Sequence, residues 1–346
     1  MWLFSLPAAL NLLAFTSALP RRVPKPLPLI VWHGLGDRYD AEGLQTVGVL
    51  AKKTHPGTYV HFIRLDDDGS ADRTATFFGN VTAQIDKVCT DLHAEPRLRM
   101  HNELRVDALG FSQGGQFLRG LLERCDGLSM RSLVTFGSQH NGIAEFQVCG
   151  DYDFVCKGAS ALIKGNAWTD YVQSRVVPAQ YYRTVDETTG LASDAYLEHS
   201  NLLADINNER AEKKRVYAER LSSLEKFVMF VFDEDTTVIP KESGWFAEVN
   251  ATTAEVTPLR NRTIYKDDWV GLKKLDEKDG LVFKTAPGAH MELKQSVMAD
   301  TFRVYYGPET GEKSGEMLWR SDPDNDGAMG WPQSWYQHLL GPQEFL

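Results

Sequence analysis

The sequence predicts an α/β protein: a mostly parallel sheet flanked by helices, with a helical insertion in one connection. Three observations predict it. Apolar segments of strand length alternate with segments of helical period, the pattern of a parallel sheet covered on both faces. One strand passes directly into a helix through Gly110-Phe111-Ser112-Gln113-Gly114. The interval 138–225 reads as helical, holds no comparable buried strand and is too long for a connection inside a compact sheet.

The elements follow in order. Residues 1–18 carry no charge, are mostly apolar and end in Thr16-Ser17-Ala18, with Arg21-Arg22 just beyond. That is the form of a secretory signal peptide cut after Ala18. An uncleaved anchor is the alternative, for which the run is barely long enough. No other run is as long and apolar, so no membrane span is expected after cleavage. Pro26 to Trp32 reads as a buried strand entering the turn His33-Gly34-Leu35-Gly36, and Thr58 to Leu65 as a second strand. Asn80 to Leu92 has a helical stripe of Val81, Ile85, Val88 and Leu92. Arg105 to Phe111 is a third strand, and Gln113 to Arg124 a helix with Phe117, Leu118, Leu121 and Leu122 on one face. Ser132 to Gly137, Lys226 to Phe232 and Leu281 to Thr285 complete the strands. The expected organisation is a domain over 19–306, interrupted by the 138–225 insertion, and a polar tail over 307–346.

Composition bounds the function. The chain has 346 residues, 42% of them apolar, which is enough to build a core. Its formal charge of −10 argues against general nucleic-acid binding, because an acidic surface repels phosphate. Four cysteines, Cys89, Cys125, Cys149 and Cys156, suggest two disulfides in an oxidising compartment. Three pairings are possible; the short spacing of Cys149 and Cys156 favours a local bridge, leaving Cys89 with Cys125. Their spacing does not suggest zinc. Sequons at Asn80, Asn250 and Asn261 fit an extracytoplasmic glycoprotein.

The sharpest chemical signal is Ser112. G-x-S-x-G between a strand and a helix is a nucleophile elbow, the mark of an α/β-hydrolase fold. The turn raises the hydroxyl clear of the sheet, and the helix N-terminus supplies N–H groups and partial positive charge. A serine hydroxyl needs a base, and in this fold the order is nucleophile, acid, histidine. His140, His199, His290 and His338 follow Ser112. His290 lies in the loop after the last strand and is the candidate base; His140 precedes any plausible acid and reads as structural. The acid should follow the Lys226–Phe232 strand, where Asp233-Glu234-Asp235 stands. Asp235 is the choice, to orient the imidazole and stabilise its cation. Backbone N–H groups of Gln113 and Leu35 are the expected oxyanion donors. Asp322-Pro323-Asp324-Asn325-Asp326-Gly327 resembles the start of a calcium loop, but Gln333 stands where a Glu is needed and Pro323 is awkward, so a solvated turn is expected.

These motifs resemble the palmitoyl-protein thioesterase 1 family of lysosomal α/β-hydrolases. The resemblance rests on Ile30 to Asp37, on Gly110 to Arg119, on Phe136 to Gly142, on Leu203 to Arg210, and on shorter stretches at Lys226–Met229, Glu242–Phe246 and Leu272-Lys273. It spans about residues 27 to 300. It implies Ser–His–Asp hydrolysis of long-chain fatty acyl thioesters, chiefly S-palmitoyl cysteine in proteins, in a lysosome or vacuole or outside the cell. It implies the triad Ser112, Asp235 and His290, the same two disulfides, and an acyl groove built by the insertion. No cofactor or metal is expected. The sequence departs from the family around the acid, at Arg38-Tyr39-Asp40, where the family has a cysteine pair, and in the tail. A secreted lipase or carboxylesterase is the alternative, since the same residues cut oxygen esters; a non-catalytic lipid-binding relative is a third.

Overall fold

A computed structural model describes residues 25–308, except 147–148, 150–153, 164 and 187–188. The signal segment, His338 and the Asp322–Gly327 turn lie outside the described residues. The strands are β1 (Leu29–Trp32), β2 (Val60–Phe62), β3 (Arg99–Met100), β4 (Glu103–Phe111), β5 (Leu128–Phe136), β6 (Lys226–Phe232), β7 (Glu248–Val249), β8 (Val256–Thr257) and β9 (Leu281–Ala286). Seven of them form one sheet, with β2-β1-β4-β5-β6-β9 all parallel in that order and β3 antiparallel on β4. The pair β7–β8 is a separate ribbon. The described residues thus form an α/β sheet of the expected class.

The helices are α1 (Glu42–Thr54), α2 (Gly69–Ala75), α3 (Val81–Ala94), α4 (Gln113–Arg124), α5 (Phe154–Ile163), α6 (Asp170–Gln173), α7 (Asp194–His199), α8 (Leu203–Ile206), α9 (Arg215–Ser222), α10 (Thr263–Lys266), α11 (Leu272–Asp276) and α12 (Gln295–Tyr305). Side chains alternate across the sheet with period two, so each strand feeds two cores. Ile30, Trp32, Val106, Ala108, Phe227 and Met229 face α3, α4 and α9. Leu29, Val31, Leu109, Phe111, Val228 and Phe230 face α1 and α12. A third cluster, Phe77, Cys156, Ala159, Ile163, Val172, Val176 and Ala179, belongs largely to the insertion.

Several boundaries differ from the sequence reading. β5 begins at Leu128, four residues before Ser132, because Arg131 interrupts the apolar run; its guanidinium is buried against the Asp107 carboxylate. The Thr58–Leu65 strand shrinks to Val60–Phe62, since its one partner, β1, is only four residues long. Helices α1, α2, α10, α11 and α12 lie where the sequence reading assigns no element. The insertion carries α5 to α8, while α9, which ends it, packs on α4 as a sheet-covering helix. The sulfurs pair as Cys89–Cys125 and Cys149–Cys156. Among the described residues no helix is long and apolar enough to cross a membrane.

Candidate active site

Three strands end at the site. Ser112 follows β4 and is the N-cap of α4, with φ 51° and ψ −126°. This left-handed conformation is costly for a serine, and the surroundings over-determine it. The Ser112 N–H donates to Phe136 O at 2.8 Å. A Cβ on Gly110 would lie 2.2 Å from Gly115 Cα, and one on Gly114 would lie 2.3 Å from His33 O. Strand, helix and first turn therefore meet at backbone distance, which only glycine permits.

His290 comes from the loop after β9. Its Nε2 lies 3.2 Å from Ser112 Oγ and its Nδ1 2.7 Å from Asp235 Oδ2. Asp235, in the loop after β6, is buried, and its other oxygen accepts from the N–H groups of Thr237 (2.9 Å) and Val238 (3.0 Å). Burial pushes the Asp235 pKa up, but the His290 hydrogen bond and charge and the two N–H donors outweigh it and hold it below the ordinary carboxylate range. The carboxylate therefore stays ionised in mildly acidic surroundings.

The neighbouring acids point elsewhere. Asp233 is exposed, and its carboxylate accepts from Gly288 N–H at 2.7 Å; the Glu234 N–H donates to Gly288 O at 3.0 Å. Both tether the loop that carries His290. His140 is buried, stacked on Phe246, with Nε2 3.0 Å from Thr135 Oγ1; burial first and the Arg119 charge second keep it neutral. His199 lies near Asp170 and Glu198. Neither histidine bonds to Ser112.

The first turn runs beside the nucleophile: a Cβ on Gly34 would sit 3.1 Å from Ser112 Cβ and 3.8 Å from its Oγ. Among the described residues, neither Leu35 N–H nor Gln113 N–H donates to a protein acceptor. The Gln113 side chain is tied, donating to Thr76 O at 3.3 Å and accepting from Tyr181 OH at 3.2 Å. Sequence reasoning missed α2, whose Asp72, Arg73 and the following Thr76 bind this turn; Gly69–Ala75 has no apolar period that could reveal it.

Leu35 packs on the insertion's apolar cluster, with Ile163 and Phe146. The same two residues, with Trp168, Ala167 and Tyr182, line an open cavity of about 940 Å³. Cys89, His93 and Cys125 also converge, but the two sulfurs are joined to each other, and His93 Nε2 lies 2.8 Å from Asp126 O. That group offers no thiolate to a metal. Asn250 and Asn261 are exposed, whereas Asn80 is half-buried and caps α3, accepting from Ala83 N–H at 3.1 Å.

A family model described as palmitoyl protein thioesterase matches residues 28–290. Palmitoyl-protein thioesterase 1 of Caenorhabditis elegans is 33% identical over 87% of this chain and 98% of its own length. A palmitoyl-protein thioesterase-dolichyl pyrophosphate phosphatase fusion of Schizosaccharomyces pombe is 33% identical over 83% of this chain, but the match covers only 45% of that protein. A protein named lysosomal thioesterase PPT2 homolog, from Drosophila melanogaster, is 22% identical over 76% of this chain and 85% of its own length. With a sheet of the α/β-hydrolase order and a family match across most of its length, the chain belongs to the palmitoyl-protein thioesterase family, whose members are thioester hydrolases.

Proposed function

We propose that Ser112, His290 and Asp235 hydrolyse long-chain acyl thioesters, chiefly S-palmitoyl cysteine of lipidated proteins. The observation that carries the reading is the continuous hydrogen-bond chain Ser112–His290–Asp235 at the carboxyl ends of β4, β9 and β6. Ser112 Oγ attacks the acyl carbonyl carbon, and its proton passes to His290 Nε2. Asp235 holds Nδ1–H and stabilises the cation without taking the proton. The oxyanion meets the N–H groups of Leu35 and Gln113. The C–S bond breaks, and the thiolate recovers a proton from His290. A thiol of pKa about 8.5 leaves more readily than an alcohol, so little acid assistance is needed. His290 then takes a proton from water as the water oxygen attacks the acyl carbon, the carbon–Oγ bond breaks, Ser112 Oγ recovers that proton from His290, and fatty acid departs.

The insertion supplies the acyl groove in this reading. Its cavity is apolar along much of its wall and lies within the roughly 300–1,000 Å³ usual for small-molecule sites. Packing of Leu35 against the same apolar cluster supports a chain running from the cavity to the oxyanion turn. The two disulfides fit an oxidising secretory compartment. The lysosome is the proposed destination, supported by the names of distant relatives. Glycans at Asn80, Asn250 and Asn261 belong to the same reading.

The test is direct. Ser112→Ala should remain folded and lose about 10⁴- to 10⁶-fold in turnover of a palmitoyl thioester. A fluorophosphonate probe should label the parent protein at Ser112. Absent labelling with undiminished turnover of the variant would rule the triad out. Matched palmitoyl thioester and palmitoyl oxygen ester should be cut at unequal rates, favouring sulfur; the reverse would make the protein a lipase-like esterase.

A further inference from the structure

An oxyanion hole accelerates a reaction only if its donors are in place before charge develops. Leu35 N–H belongs to the turn His33–Gly36, and that turn has little hydrogen bonding of its own: its internal bond, Asp37 N–H to Gly34 O, is 3.3 Å long. The ties come from α2. Asp72 Oδ2 accepts from His33 Nε2 at 3.0 Å and from Tyr39 N–H at 2.9 Å, while Oδ1 accepts from Leu65 N–H at 2.7 Å. Arg73 Nε donates to Gly36 O at 2.9 Å, and Thr76 Oγ1 accepts from Gly36 N–H at 2.8 Å. His33 and Asp72 are both fully buried.

The chemistry of this pair is over-specified. The Tyr39 and Leu65 N–H groups can only donate, so Asp72 accepts from both, and an ionised carboxylate can accept from His33 Nε2 as well. Burial opposes that charge, but His33 and the Leu65 and Tyr39 N–H groups hold its pKa below the ordinary range. His33 Nδ1 faces Gly34 O at 3.2 Å. An imidazole with an acceptor at each nitrogen is satisfied only when both carry hydrogen. The charges facing His33 are Asp72 from α2 and Asp37 from the turn itself; burial acts against its cation, and the two carboxylates outweigh it.

We propose that Asp72 is a positioning residue of the reaction: paired with His33, it fixes the turn that carries the Leu35 N–H, so the oxyanion donor is set before substrate arrives. This rests on the reading of Ser112 and Leu35 given above. It gives α2, which touches no reacting atom, a role in the rate. The long-chain trifluoromethyl ketone probe separates that role from simple stability. Ser112 Oγ adds to its carbonyl carbon, the serine proton goes to His290, and the resulting alkoxide occupies the oxyanion hole. Palmitate binds the groove without forming that adduct.

Asp72→Asn places an amide N–H₂ against a donor and cannot serve all three partners. The expected result is a folded protein whose kcat falls about 10- to 100-fold, less than the roughly 10²–10³-fold loss from deleting a donor outright. KM and palmitate affinity should hold within about two-fold, and ketone affinity should fall in step with kcat. Thr76→Val, a near-isosteric change that removes the acceptor for Gly36 N–H together with the hydroxyl's own bond to Arg73 O at 2.6 Å, should give the same pattern with a smaller fall. An unchanged kcat in folded Asp72→Asn overturns the proposal, as does a parallel loss of ketone and palmitate affinity. If Asp72→Asn does not fold, Thr76→Val decides by the same measurements, and an unchanged kcat there is fatal. Full turnover by Ser112→Ala would overturn the parent reading and this proposal together; inactive Ser112→Ala beside intact Asp72→Asn removes only the proposal.

Discussion

Asp235 and Asp233 stand two residues apart in one loop, and their surroundings give them different chemistry. Asp235 is buried, bonds His290 Nδ1 and keeps its pKa low; Asp233 is exposed and bonds a backbone N–H of the His290 loop. Asp235→Asn should therefore cost about 10⁴-fold in kcat, through the wrong imidazole tautomer, with little change in KM. Asp233→Asn, which keeps an acceptor for Gly288 N–H, should cost less than about ten-fold. Steady-state kinetics on one thioester checks both, and equal losses would reassign the acid. Asp37 makes a different prediction. Burial raises its pKa to about 6, against the pull of His33 and the Arg38 N–H, and its Oδ2 has no hydrogen-bond partner. Between its unfolded and folded pKa values the native state binds more protons than the unfolded one. The stability contributed by Asp37 is thus present at low pH and lost as pH rises through about 6. Asp37→Asn should gain on the parent protein above that pH, by at most about 3 kcal/mol, and the gain should vanish near pH 4. Urea denaturation of both proteins at about pH 4.5 and about pH 7.5 measures it.

At the level of elements, the most uninterrupted patterns are legible, charge-broken and polar segments are not, and one periodic helix escapes as well. The Gln113–Arg124 helix and the Lys226–Phe232 strand match their reading, because each carries an uninterrupted pattern and a sharp boundary. β5 was read short, because a single buried arginine looks like a loop residue until Asp107 is placed beside it. α1 was overlooked although Leu44, Val47 and Ala51 sit on its buried face at spacings of three and four. The start of α3 carries a prediction of its own. Asn80 is both its cap and a glycosylation acceptor. Asn80→Asp should abolish any glycan there while retaining the cap, whereas Asn80→Ala should lose both and about 1 kcal/mol of stability. Electrophoretic mobility reports the glycan and thermal melting reports the cap; equal melting temperatures for the two variants would refute the capping role.

Across the whole molecule, two covalent ties act on different parts. Cys89–Cys125 joins α3 to the C-terminal end of α4 and closes a separation of 36 residues; Cys149–Cys156 closes 7 within the insertion. By loop entropy the first should contribute about 4 kcal/mol and the second about 2. Replacing the first pair by serine should lower the denaturation midpoint more. Replacing the second should act mainly on KM for long-chain substrates, since Cys149 lines the insertion's cavity. Denaturation curves and a chain-length series measure these effects, and an identical midpoint for both double variants would refute the ranking.

The local grammar of the chain determined a good deal without coordinates. Glycine spacing around Ser112, the alternation of strand and helix, and the order of serine, acid and histidine are short-range or ordinal properties that survive in a one-dimensional string. They single out Ser112, Asp235 and His290 as candidates for one site. What only the tertiary structure decided is everything that depends on which distant groups become neighbours. It brought His290 to Ser112 across a separation of 178 residues and set Asp235, rather than Asp233, against the imidazole. It also laid α2 against the turn His33–Gly36, where Asp72 meets His33 across 39 residues. The reason is physical. A buried polar group must find its partner wherever the packed chain places one, and no local propensity records where that will be.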